Sequence, residues 1–274
     1  MALLTLVPVF AGREAGWYED AVALTETDIF TGVGEGPGWW VGDPEHPDRP
    51  DQLFGEEAIQ AARVLVGETP RQRPVPGPRW DGFSGWGLGA AAYDFTFYAP
   101  KSVSLMHKSL HGLSRFRDAE RIEEAFGSAW AEALEWFDIE ESLAVGRLPD
   151  GTVGLVEHDG IAGVAYQHRT DRSGNPHLHV HVVISRHVIS DGERLHIDLR
   201  NLPSFVPQIE ARYRARLRVE LEEAGWRLRP LGEPDQDELA DVDPKTIRQW
   251  TGRKGPCRWA PPERHRFNPF PKQP

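Results

Sequence analysis

The sequence predicts an α+β fold, and three observations carry that prediction. Short apolar runs with β-branched members recur near residues 3, 92, 153, 161 and 178, each of strand length. Two longer segments, 118–137 and 204–224, place their apolar residues three and four apart, the repeat of a helix. From His177 to Val182, histidines alternate with Leu178, Val180 and Val182. A strand sends alternate side chains to opposite faces, so this segment is a strand with an apolar underside and a row of imidazoles above it.

Taken in order, the run from Leu3 to Phe10 opens the fold as a strand, and residues 11–27 have helical character and carry Trp17 and Tyr18. Residues 32–89 are rich in Gly, Pro and Trp, with one helix expected from Gly55 to Val66 and an extended Pro/Arg loop from Pro70 to Trp80. Trp39, Trp40, Trp80 and Trp86 are either platforms on which bases stack or caps on the core, and for any single one the core reading is the stronger. Ala92 to Phe97 is a strand with Asp94 and Thr96 on one face; an aspartate inside a strand needs a partner, either an imidazole or Tyr18. Pro100 suits the first turn of a helix carrying Val103, Met106 and Leu110. The next helix buries Ile122, Phe126, Ala129, Ala133, Leu134 and Phe137.

A hairpin is expected between residues 143 and 157 through Pro149-Asp150-Gly151, and a second one follows. Its arms are 161–168 and 177–184, joined by Asp171 to Pro176, whose residue types reverse a chain. Antiparallel pairing of these arms brings His168 towards His179 and His181. After Leu195, Ser204 is placed to cap a helix that runs to Ala224 and is ended by Gly225. One side of that helix carries Phe205, Ile209, Tyr213, Leu217 and Leu221. The other carries Arg212, Arg214, Arg216 and Arg218, which read equally well as a strip for phosphates or as a solvated surface balanced by Glu210, Glu220, Glu222 and Glu223. Two units are expected: a domain over residues 1–230 and a C-terminal extension over 231–274, acidic and then Pro/Arg-rich, partly disordered, with one short helix at Pro244–Trp250.

Composition narrows the class. With 274 residues, 39% hydrophobic and 27% charged, the chain is long enough for a sizeable core. It contains no apolar run able to span a bilayer and no signal-peptide pattern, so the expectation is a cytoplasmic, monomeric protein with no membrane partner. The single Cys257 excludes an internal disulfide and a cysteine-based zinc site. The 31 Lys and Arg against 42 Asp and Glu give a net charge of −11, which argues against a broadly basic nucleic-acid surface. A local basic strip, sensitive to salt, is the form such a surface would have to take. No phosphate-loop pattern occurs, so no helicase is expected within the chain.

The histidines concentrate the chemistry. Six of the 11, namely His168, His177, His179, His181, His187 and His196, fall within one short stretch. Three neutral imidazoles, His168, His179 and His181, converging with an open position form a divalent-metal site able to polarise a substrate oxygen. His177, His187 and His196 have no such geometric case and are read as structural or solvent-facing.

Two long motifs now carry a resemblance. His168-Arg169-Thr170-Asp171-Arg172-Ser173-Gly174-Asn175-Pro176-His177-Leu178-His179-Val180-His181-Val182-Val183 resembles the histidine motif of the MobF (TrwC/TraI-like) conjugative relaxases, a group of the HUH endonucleases. Asp94-Phe95-Thr96-Phe97-Tyr98-Ala99-Pro100-Lys101-Ser102-Val103-Ser104-Leu105 is similar to a second motif of that group. Trp17-Tyr18 lies where the group carries its N-terminal catalytic tyrosine. The matches occur in the family's order and cover roughly residues 1–230.

The resemblance implies a central, mostly antiparallel five-stranded sheet of the HUH relaxase and Rep-like kind, related to the RNA-recognition-motif fold. The Asp94 strand and the histidine strand would lie side by side, with helices packed on one face and DNA on the other. It further implies metal-dependent nicking and rejoining of single-stranded DNA at a specific site and strand, through a covalent 5′-phosphotyrosine on Tyr18, as in conjugative DNA transfer. The cofactor is then a divalent ion, Mg²⁺ or Mn²⁺ first and other divalent ions next. The partners are single-stranded DNA, an origin-of-transfer hairpin and other relaxosome proteins. Asp94 is either the base for the tyrosine proton or the residue that orients a ligand imidazole, and Lys101 and Arg172 are candidates for contacting DNA phosphates. Where many members carry further tyrosines, this chain has Asp28-Ile29-Phe30, so it reads as a single-tyrosine variant. Two other classes compete: a non-catalytic module that binds a DNA hairpin, and a metal-dependent phosphodiesterase that uses water.

Overall fold

The computed structural model describes residues 2–9, 38–42, 52–53, 90, 92–141, 144–171, 175–197, 202–233 and 236–251. In chain order its strands are β1 (Leu4–Val9), β2 (Gly38–Gly42), β3 (Gln52–Leu53), β4 (Ala92–Tyr98), β5 (Ala144–Arg147), β6 (Val153–Val156), β7 (Ala162–Thr170), β8 (Pro176–Ser185), β9 (His187–Ser190) and β10 (Glu193–Ile197). Four α-helices are described: α1 (Lys101–Gly112), α2 (Phe116–Trp136), α3 (Leu202–Glu223) and α4 (Pro244–Trp250). A π-helical turn, Phe137–Glu141, extends α2.

The main sheet has six strands in the order β1-β4-β8-β7-β2-β3, and every pairing in it is antiparallel. The sixth, β3, is a two-residue edge, so the expected five-stranded sheet is there in substance with β4 beside β8. Its membership differs in one respect. The strand expected near residue 153 belongs to a separate four-stranded sheet, β6-β5-β10-β9, and its place in the main sheet is taken by β2. Pairing along β7 makes Gly38–Gly42 a strand, a long-range contact that its Gly- and Trp-rich composition does not announce. Gly42 is required where β2 ends, because φ is +66° and a Cβ would lie 1.9 Å from the Ile161 carbonyl oxygen.

The core lies between the main sheet and the helices. Phe95 and Phe97 on β4, with Leu178, Val180, Val182 and Ile184 on β8, face the apolar stripe of α2, in which Ile122, Phe126, Ala129 and Ala133 are buried. Each large side chain buried in this way contributes about 1.5–3 kcal/mol, so packing rather than intrinsic propensity holds α2. Phe97 meets the edge of Tyr213 on α3 at 5.2 Å, and Phe95 packs on Phe137 at 5.5 Å. The π-helical turn thus begins on a core residue. No helix among the described residues is long and apolar enough to cross a membrane.

Helix ends follow local chemistry where the sequence supplies it. The short helix expected at Pro244–Trp250 is α4, and Asp243 caps it by accepting from the Lys245 amide at 3.2 Å. α3 begins two residues before the expected cap, at Leu202, and Ser204 sits in its first turn. The domain also continues past the boundary expected at residue 230. Leu239 is buried, its amide donates to Ser102 Oγ at 2.7 Å, and the Ser102 amide donates to Glu238 Oε2 at 2.7 Å. Residues near 239 therefore tie down the start of α1. The expected helices over 11–27 and 55–66 and the loop with Trp80 and Trp86 lie outside the described residues. Trp39 is described and packs against the core.

Candidate metal centre

The pleat of β8 puts His177, His179 and His181 on the face turned away from the helices, while Leu178, Val180 and Val182 enter the core. Register completes the group. β7 pairs with β8 so that His168 lies directly opposite His179 and Tyr166 opposite His181, and β4 brings Thr96 opposite His181 and Tyr98 opposite His179. The rings of His168, His179 and His181 form a nearly regular triangle, with centroids 5.0, 5.1 and 5.2 Å apart. One nitrogen from each lies within 4.8 Å of the other two.

Hydrogen bonds decide which nitrogens are available. His179 Nδ1 is 2.8 Å from the carbonyl of His177, which can only accept, so Nδ1 holds the proton and Nε2 carries the lone pair. His181 Nδ1 lies 2.7 Å from Asp94 Oδ2, and Thr96 Oγ1 donates to the other carboxylate oxygen at 3.1 Å. With its Nδ1 proton given to Asp94, His181 likewise presents Nε2. His168 Nε2 is buried without a hydrogen-bond partner. An orphaned buried nitrogen is costly, and a cation shared with its two neighbours would satisfy it. Burial pushes His168 down to about 3, helped by the neighbouring His181, and burial also drives His179 well below the usual imidazole range. Neutral imidazoles are the form that binds metal, so the donor set fits a divalent ion.

The remaining sequence-stated residues divide. Lys101 is buried, and its ammonium donates to the Pro176 carbonyl at the mouth of the β7–β8 hairpin. Burial lowers its pKa, while the nearby charges of Asp171 and Glu238 raise it. Tyr18 and Arg172 lie outside the described residues.

The arginine face of α3 is engaged within the fold. Arg212 sits 4.0 Å over the Trp136 ring, Arg214 pairs with Glu210 and Asp237, Arg216 with Glu132 and Glu220, and Arg218 with Glu222. Arg218 also donates to the carbonyls of Gln236 and Arg229. These contacts fasten the segment after α3, so of the two readings the structure favours the balanced surface over a phosphate strip.

Sequence reasoning missed two neighbours of the triad. His177 stacks on Tyr98 at 5.4 Å and its ring lies 4.8 Å from His179, on the same face. Strand parity was the available signal, since 177, 179 and 181 share a side. Tyr98 also stacks on His179 at 5.9 Å, and its hydroxyl shares a hydrogen bond with Thr5 at 3.1 Å. The β9–β10 hairpin was missed as well, although Asp191-Gly192, both at positive φ, is a strong two-residue turn signal. Its cross-strand pair places the His187 and His196 rings 4.6 Å apart on the second sheet, away from the triad strands.

An antiparallel sheet with a three-imidazole cage at its middle, backed by a carboxylate on the adjacent strand, is the arrangement expected of an HUH-type domain. The sequence profile described as "TrwC relaxase" matches residues 11–260, and the chain belongs to that family. Among curated proteins, it is 28% identical over 177 residues to the multifunctional conjugation protein TraI of Escherichia coli strain K12. A second Escherichia coli TraI is 29% identical over 159 residues. These alignments cover 61% and 55% of this chain but only 9% and 8% of the relatives, so the chain spans under a tenth of their length.

Among solved structures, the metal-bound conjugative relaxase TrwC in complex with oriT DNA superposes with a TM-score of 0.67 at 24% identity, covering 91% of this chain and 79% of that one. A copper-bound TrwC–oriT complex gives 0.69 at 23% identity, covering 90% and 79%. TrwC with a 27-mer DNA comprising the recognition hairpin and the cleavage site gives 0.65 at 23%, covering 90% and 78%. At these identities the superpositions establish a common fold.

Proposed function

We propose that this chain is the nicking and rejoining domain of a relaxase, acting on single-stranded DNA at one site and on one strand. The observation that carries the reading is the His168–His179–His181 cage with Asp94 behind it, in a chain of the TrwC relaxase family. In this reading His168, His179 and His181 hold a divalent ion beside the scissile phosphate. When bound, the ion would neutralise charge that grows on a non-bridging phosphate oxygen. Mg²⁺ and Mn²⁺ are the first candidates, and three neutral nitrogen donors favour Mn²⁺, since Mg²⁺ prefers oxygen.

Tyr18 supplies the nucleophile. Its phenolic oxygen gives up its proton to solvent as it attacks the phosphorus, the 3′-oxygen leaves and takes up a proton in turn, and a 5′-phosphotyrosine remains. Because the bond energy is kept in that ester, the 3′-hydroxyl can attack in reverse and rejoin the strand. Asp94 has the role of orienting His181 rather than of base, because its carboxylate already accepts from His181 and Thr96. Asp94→Asn is therefore expected to weaken metal binding by about 10–100-fold in a competition titration. Unchanged affinity with reduced cleavage would return Asp94 to the role of base. Arg172 contacts a phosphate next to the scissile one, and Lys101 holds the hairpin mouth from inside. The DNA partner is an origin-of-transfer hairpin with its single-stranded flank, and other relaxosome proteins act on the same DNA.

The test is incubation with a pool of single-stranded oligonucleotides and Mn²⁺ or Mg²⁺, followed by denaturing electrophoresis and sequencing of attached DNA. A covalent adduct enriched in one sequence is expected. Turnover without an adduct would mean a phosphodiesterase that uses water, and retention of DNA without cleavage would mean a hairpin-binding module.

A further inference from the structure

Two of the three imidazoles are aimed by hydrogen bonds at Nδ1, His179 by the His177 carbonyl and His181 by Asp94. His168 has no counterpart: no hydrogen bond among the described residues orients its ring, and its Nε2 is unpartnered. The ladder is also irregular at this point. Regular pairing of β7 with β8 ends at His168 opposite His179, and the register slips before Thr170 meets Pro176. The extra residue is on β8, where His177 and Leu178 together face residue 169 of β7, so the ladder of sheet hydrogen bonds is interrupted beside it.

Residue 169 is held from the other side. Arg169 reaches the helix layer, where its Nε and Nη2 donate to Oε1 and Oε2 of Glu123 on α2 at 2.6 and 2.9 Å. This two-pronged geometry fixes orientation as well as distance. Glu123 Oε1 also lies 2.6 Å from Nε2 of His107 on α1, so α1, α2 and β7 are joined through one carboxylate. Burial alone would raise the Glu123 carboxyl, but the hydrogen bonds from His107 and Arg169 hold it down at about 2, and it stays ionised. The side chains of His107, Arg169 and Glu123 are 3%, 13% and 21% exposed, so water does not readily replace the contacts.

We infer that the Glu123–Arg169 pair, backed by His107, is a positioning device that fixes β7 beside the bulge and so aims His168 at the ion. This rests on the reading of the triad as a metal centre. The cluster is not a second metal site of its own, although His107, His111 and Glu123 also have donor atoms within 4.8 Å of one another. Its only carboxylate is shared between a guanidinium and an imidazole, and a dication there would face the charge of Arg169.

Titration of the full chain with Co²⁺, followed by its visible absorption spectrum, tests the inference. Arg169→Met and Glu123→Gln are expected to weaken Co²⁺ binding by about 10–100-fold and to change the band shape, and Arg169→Lys to regain part of the affinity. Leu221→Ala, a core truncation on α3, serves as the stability control: its Tm falls and its Co²⁺ affinity does not. Wild-type affinity and spectrum in Arg169→Met and Glu123→Gln would overturn the inference and leave the pair a purely structural contact. If Arg169→Met does not fold, Glu123→Gln and Arg169→Lys decide the matter. His179→Ala separates the two levels. A spectrum that survives His179→Ala removes the triad reading and this inference with it, whereas loss in His179→Ala alongside wild-type binding in the other two variants removes only the inference.

Discussion

Tyr18→Phe is expected to abolish the covalent protein–DNA adduct while metal binding persists at wild-type affinity. The substitution removes one oxygen and keeps the ring, so the chemistry is expected to fail while the fold is retained. The measurement is a denaturing gel of the protein with a cognate oligonucleotide, paired with a metal titration of the same sample. An adduct that survives would move the nucleophile to another tyrosine, and geometry ranks the alternatives. Tyr93 and Tyr213 are buried on the helix side of the sheet; burial pushes Tyr93 up to about 12, against a small opposing pull from Arg186, and Tyr213 well above the phenol range. Such phenols ionise reluctantly and do not meet a phosphate. Tyr166 shares the triad's face but is 1% exposed. Tyr98, half-buried and stacked on His177 and His179, is the alternative to examine first.

Replacing His179 and His181 together with Ala is the second large effect. Metal content should fall to background, and cleavage should drop by at least about 100-fold, the scale of losing a preorganised charge at the reacting oxygen. Thermal stability should fall too, because Asp94 then loses its hydrogen bond from His181, a contact to a charged group worth about 1.5–3 kcal/mol. The metal is read by elemental analysis of the purified protein and the cleavage with a labelled oligonucleotide. Retained metal at wild-type stoichiometry would refute the ligand assignment, whatever became of the cleavage. Retained cleavage without metal would remove the ion from the mechanism and leave only Tyr18 and the protein's own donors to account for it.

The main chain of inference was readable before the fold was seen because it runs through short periods. Alternation of His with Leu and Val from 177 to 182 fixes which side of β8 faces the core, whatever the strand pairs with. The turn residues from Asp171 to Pro176 make β7 its partner, and an antiparallel pair with that turn puts His168 opposite His179. The stripes of α2 and α3 and the short helix Pro244–Trp250 are likewise local. Long motifs carried the family, since two runs of a dozen or more residues in the right order specify more than any composition does.

What the sequence by itself determined, then, is strands β1 and β4 to β8, helices α1 to α4, the imidazole row and the family to which the chain belongs. Only the tertiary structure decided which strands share a sheet: β2 joins β7, over a hundred residues away, and the expected β5–β6 hairpin joins β10 rather than the main sheet, because such long-range pairing leaves no periodic trace. It also decided between equal readings. Asp94 meets His181 at 2.7 Å from the neighbouring strand, and the arginines of α3 are held by Glu210, Glu220 and Glu222 of the same helix, by Glu132 and Trp136 of α2, and by Arg229, Gln236 and Asp237. A side chain's type states what it can bind. Its partner is set by which distant backbone is folded against it, and that is a property of packing rather than of local order along the chain.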